Sequence, residues 1–104
     1  MRGDYYYLIC SKENCCAAAS VNNYHLVVGR STNLLGPYTD RDGKKMTDTS
    51  YENTLLKGYT AFVGPGHNSE IIEDDAGLSW FCYHSYCSSS NYNGRRMCLQ
   101  QIHW

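Results

Sequence analysis

A chain of 104 residues, 42% apolar and 18% charged with a formal net charge of −1, is long enough for one small domain with a modest core. Its near-neutral balance excludes a charged disordered tail and an electrostatic nucleic-acid binder, and points to an uncharged partner. No apolar run is long enough to span a bilayer, and Met1-Arg2-Gly3-Asp4 lacks the apolar stretch of a secretory leader.

The apolar spacing is that of short strands throughout. In chain order it predicts strands over Tyr5 to Ser11, Tyr24 to Arg30, weakly over Thr54 to Tyr59, then Asn68 to Glu73, Ser79 to Tyr86 and Arg96 to Trp104, with no helix. Asp42-Gly43, Asp75-Ala76-Gly77 and Asn93-Gly94 supply turn residues that tolerate positive φ, and Gly36-Pro37 sets a bend, so consecutive strands are expected to pair antiparallel. The polar segment from Asp40 to Asn53 reads as an exposed connection with a short hairpin. Ten tyrosines and two tryptophans suit half-buried strands and surfaces that stack on sugar.

Two kinds of residue invite chemistry. Gly64-Pro65-Gly66 reads as a turn that delivers His67 to the first position of a strand. A single histidine in that setting is more often a structural residue than a ligand. The six cysteines, Cys10, Cys15, Cys16, Cys82, Cys87 and Cys98, allow fifteen disulfide pairings. Cys10 with Cys15 and Cys82 with Cys87 could instead frame a zinc site, against which Cys10 and Cys82 fall in strand runs where a thiol serves as a small buried hydrophobe.

Several of these stretches, in this order, resemble glycoside hydrolase family 43. They are Tyr5-Tyr6-Tyr7-Leu8 with Cys15-Cys16, Val27-Val28-Gly29-Arg30-Ser31, Gly36-Pro37-Tyr38, Gly64-Pro65-Gly66-His67-Asn68-Ser69, Trp80-Phe81-Cys82-Tyr83-His84, and Gly94-Arg95-Arg96 with Leu99-Gln100 and Trp104. The front half is similar to the endo-arabinanase branch and the closing stretch to the xylosidase-like branches, which leaves arabinan, arabinoxylan and xylan open. The resemblance implies an all-β chain: antiparallel blades of a partial five-bladed β-propeller, roughly the fourth blade (about 1–60) and the fifth (about 61–104). It also implies that His67 reaches the channel axis and helps hold a hydrated calcium ion once the channel is complete, that Arg95 binds substrate, and that Asn68 faces the same channel. Cys15-Cys16 would lie in a loop near the substrate cleft.

The family's reaction needs two carboxyl groups flanking the glycosidic bond, one as acid and one as base. By the resemblance these precede Tyr5, and none of the ten acidic residues present offers itself as a catalyst. The chain is therefore expected to be the C-terminal portion of an inverting hydrolase of arabinan or related hemicellulose, inactive alone, its parent secreted or periplasmic. The alternative is a non-catalytic module that binds plant cell-wall sugar or assembles into homo-oligomers through open blade edges and faces. The blandest reading is a small disulfide-bonded all-β domain unrelated to hydrolases. Nucleic-acid and membrane partners are not expected.

Overall fold

The computed structural model describes residues 2–13, 23–59, 61–87 and 93–104. Seven strands form two antiparallel sheets, and the described residues contain no helix. Sheet one holds β1 (Tyr6–Lys12), β2 (His25–Ser31) and β3 (Thr54–Leu56) in that order. Sheet two centres on β6 (Ser79–Cys87), with β7 (Arg95–Ile102) along one side. On its other side lie β4 (Phe62–Gly66) and β5 (Ile72–Glu73), two pieces of one interrupted edge.

Period-two alternation explains which faces meet. Along β6, Phe81, Tyr83 and Ser85 are buried while Trp80, Cys82, His84 and Tyr86 turn to the other face. Register places Cys98 beside Tyr83 and Ile102 beside Ser79, so the even residues of β7 extend the buried face. Against it pack Leu26 of β2, Ile9, Leu55 and Leu56, closing one inter-sheet core. The turn glycines behave as expected, with positive φ at Gly36, Gly43, Gly77 and Gly94.

The segment from Asp40 to Asn53 is mostly exposed, as its polarity predicts, with a short hairpin closed at Thr39 and Lys45, and it is anchored at a few points. Tyr51 is buried, its hydroxyl donating 2.5 Å to Val28 O, and Met46 lies over Gly29, where an added Cβ would sit 2.3 Å from the Met46 sulfur. Lys12 Nζ donates 2.7 Å to Glu52 Oε1, and His25 Nε2 lies 3.0 Å from Glu52 Oε2, so side chains of β1 and β2 tie the segment down.

Two expectations are corrected. Gly64-Pro65-Gly66 is no turn: all three residues are buried and close β4. Proline is tolerated because β4 is the edge of its sheet and because Gly64, with φ of 63°, and Pro65 sit at a bulge where the register against β6 shifts. Conversely, Asn68 to Glu73 is mostly irregular and becomes strand only at Ile72–Glu73. In the gap Ser69 stands in for the ladder, its N–H donating 2.8 Å to Cys82 O and its Oγ accepting 3.0 Å from Cys82 N–H.

The two sheets form a slab of 42 × 37 × 18 Å with a radius of gyration of 14.6 Å. A compact domain of this length would have a radius near 13 Å. The excess fits two neighbouring blades whose outer faces lack covers.

Candidate functional site

The chain leaves β4 through Gly66, which lies opposite His84 in register. A Cβ at Gly66 would fall 1.9 Å from a ring carbon of Tyr24, so glycine here permits that ring to close on the strand end. His67 follows with φ of 52°, a left-handed conformation that non-glycine residues rarely adopt. Its N–H donates 2.7 Å to Ser11 Oγ at the end of β1, which ties the two sheets together at the turn.

His67 is exposed, and its ring meets His84 edge to face, with centroids 5.7 Å apart and planes at 62°. Tyr24 stacks on His84 at 6.4 Å and 24°. Arg95, at the start of β7, pairs with Tyr86 in register and places its guanidinium 5.4 Å from that ring's centroid. His84 and Tyr86 alternate onto the same face of β6, so His84 stands between His67 and Arg95. Burial first, then the charges of Arg95 and His67, hold the His84 imidazole below its ordinary pKa and favour the neutral ring. Among the described residues, its Nδ1 is the one buried side-chain polar atom without a hydrogen-bond partner.

Of the residues singled out from the sequence, His67 and Arg95 therefore converge, though through His84 rather than directly. Asn68 is turned aside, its amide donating 2.9 Å to Ser69 O. Sequence reasoning named the stretch around His84 without giving that residue a role, and it missed Tyr24. The usable signal was alternation along β6, which puts His84 on the face of Tyr86. The contact with Tyr24 depends on long-range packing across the sheets. Cys15-Cys16 lies outside the described residues.

The donors gathered here are imidazole nitrogens beside a guanidinium, and no group of three or more His, Cys, Asp or Glu is poised for a metal among the described residues. Calcium prefers several oxygen ligands, so these residues do not by themselves make a calcium site. The carboxylates serve other ends. Asp48, held low by Ser50, Glu52, held low first by Lys12, and Asp74, held low first by the Leu78 N–H and then by Trp80, all sit below the usual carboxylate range. A general acid for glycoside cleavage needs the opposite displacement.

The model of the family described as glycosyl hydrolases family 43 matches residues 1–104. Over 103 residues the chain is 39% identical to an extracellular exo-α-(1→5)-L-arabinofuranosidase of Cellvibrio japonicus, covering 99% of this chain and 28% of that protein. It is 34% identical over 93 residues to an arabinan endo-1,5-α-L-arabinosidase A of Aspergillus niger, covering 85% of this chain and 28% of the relative. Among solved structures, a Cellvibrio cellulosa α-L-arabinanase complexed with arabinohexaose superposes with a TM-score of 0.86 at 38% identity, covering 100% of this chain and 31% of that one. A family 43 endo-arabinanase of Bacillus licheniformis gives a TM-score of 0.82 at 28% identity over 100% and 33% of the two chains. The chain thus spans about 28% of the length of the curated relatives it matches.

Proposed function

Since the chain belongs to glycosyl hydrolase family 43, its two sheets being antiparallel blades of a partial propeller, we propose that it is the C-terminal portion of an enzyme that hydrolyses arabinan, with inversion at the anomeric carbon. The observation that carries the reading is the 39% identity sustained over 103 residues to an exo-α-(1→5)-L-arabinofuranosidase, beside 34% over 93 residues to an arabinan endo-1,5-α-L-arabinosidase. The family's chemistry places a protonated carboxyl on the leaving oxygen and an ionised one behind a water, and on this reading both come from the part of the protein outside residues 1–104.

This portion would contribute one side of the channel. Arg95 offers a fixed fork of N–H donors to sugar hydroxyls or to a carboxylate supplied from elsewhere. His84, itself stacked on Tyr24, packs against the ring of His67, which would supply one nitrogen to a hydrated calcium ion whose remaining ligands would come from elsewhere in the protein. Asn68 would need to release Ser69 O before reaching substrate. The polysaccharide partner would meet the parent outside the cell, because relatives at this similarity are named extracellular enzymes.

The test compares two proteins. The 104-residue chain alone, incubated with arabinan or an aryl arabinoside, is expected to release nothing above a denatured control. The same residues grafted into the C. japonicus relative in place of its matching 28% are expected to restore arabinose release. Turnover by the chain alone would refute the missing-acid argument. A folded but inactive graft would refute the assignment of the chain to that reaction.

A further inference from the structure

At the strand ends away from His67, the end of β7 faces β1, β2 and β3 across an open cleft of about 400 Å³. The placement follows from three strands. β1 carries Tyr7 near its start and Ser11, which binds His67, near its end; β6 carries Ser79 at its start and His84 toward its end; β7 begins at Arg95 and leads out to Trp104. The cleft is lined by Tyr7, Arg30, Asp40, Arg41, Asn53 and Trp104 above an apolar floor shared with the inter-sheet core.

The indole of Trp104 is held rigidly yet left accessible. Its Nε1–H donates 2.9 Å to Ser79 Oγ, the Tyr7 ring lies 4.7 Å away at 56°, and the Arg2 guanidinium sits 5.0 Å from its centroid. Even so it remains 47% exposed. Such an indole is already oriented, so a ligand that stacks on it orders little that is not ordered already. The cleft also carries the guanidiniums of Arg30, braced 4.2 Å over the Tyr5 ring, and Arg41, the carboxylate of Asp40, whose Oδ1 accepts the Asp42 and Lys44 N–H groups, and the amide of Asn53, which donates to Val28 O. Donors and acceptors of mixed sign beside an aromatic wall suit a neutral molecule with an apolar face and many hydroxyls better than a polyanion. The volume falls at the small-ligand end of the range for binding pockets, roughly 300–1,000 Å³.

We infer that this cleft is a carbohydrate-binding site for a neutral oligosaccharide, with Trp104 and Tyr7 as its stacking wall and Arg30, Arg41 and Asp40 as its hydrogen-bonding groups. The choice of an arabino-oligosaccharide as probe rests on the function proposed above, whereas the geometry of the cleft does not. The chain has two tryptophans, so its indole N–H groups give two separable resonances, one from Trp80 and one from Trp104. Titration of the 104-residue chain with arabinohexaose is expected to move the Trp104 resonance and leave that of Trp80 in place.

Trp104→Ala is expected to weaken binding about tenfold, the scale of losing one aromatic contact. Arg41→Ala, at an exposed turn residue whose loss does not threaten folding, is expected to weaken it roughly threefold to tenfold. An unmoved Trp104 resonance at about 10 mM sugar, or an affinity unchanged by Arg41→Ala, would overturn the proposal. An equal response to an oligogalacturonide would overturn the neutral class. Shifts confined to His67, His84 and Arg95 would overturn the cleft while leaving the family reaction standing. A Trp104 response alongside an inactive graft would do the reverse.

Discussion

Replacing Gly66 by alanine tests whether the strand end, the Tyr24 ring and His84 form one packed unit. The new methyl group would meet three ring atoms of Tyr24 at 1.9, 2.3 and 2.6 Å. These belong to the body of the ring, so the whole side chain must swing off β4 and off its stack on His84. Overpacking of that kind costs about 1–3 kcal/mol. The reduced freedom of the unfolded chain offsets about 0.4–1 kcal/mol, leaving a net loss of roughly 0.5–2 kcal/mol. Urea unfolding at fixed protein concentration measures it as a lower midpoint with unchanged slope. The decisive arm is a double-mutant cycle: in a Tyr24→Ala background the clash partner is gone, and Gly66→Ala should become neutral or slightly stabilising. An equal penalty in both backgrounds would refute the contact. Gly29→Ala serves as contrast, because the Met46 side chain it meets can rotate away.

Two further outcomes follow from the same packing. Burial first, and then the neighbouring Cys98 thiol, push Tyr83 up to about 12, so the folded chain keeps a proton that the unfolded chain releases near its ordinary value of 10. Stability is thus fully present below pH 10 and declines as pH rises toward 12; Tyr83→Phe should flatten that decline, and an unchanged alkaline slope would contradict it. The open face of sheet two carries Met97 at 81%, Leu99 at 61% and Ile72 at 53% exposure, so the isolated chain should self-associate at micromolar concentration. Met97→Glu with Leu99→Lys should return it to a monomer in sedimentation, and a folded wild-type monomer would sink the idea.

The fold was legible where one physical rule dominated. β1, β2, β6 and β7 were read to within a residue or two because aromatic and branched side chains alternate along them and glycine turns bound them. β4 was missed because glycine and proline are local breakers, and only the edge position against β6 makes them acceptable there. Asn68 to Glu73 was read as one strand, although before Ile72 the stretch meets β6 through Ser69, which bonds Cys82 in place of a regular ladder. The polar segment hid Tyr51 and Met46 for a similar reason: one or two apolar residues decide burial there, and composition averages them away.

The candidate site shows the same division. His67 and Arg95 could be named because the motifs around them are local, while His84 and Tyr24 join them only through register and inter-sheet contact. A propeller blade makes this outcome natural, since its strands bury faces against the next blade and bring their ends to a shared axis. Each blade alone then holds part of a site and part of a core. The buried Nδ1 of His84, on the central strand of sheet two, has no hydrogen-bond partner among the described residues, and its ring lies against His67. An unpaired buried polar atom costs about 1–3 kcal/mol. That cost is removed where a water or a further polar group reaches the nitrogen.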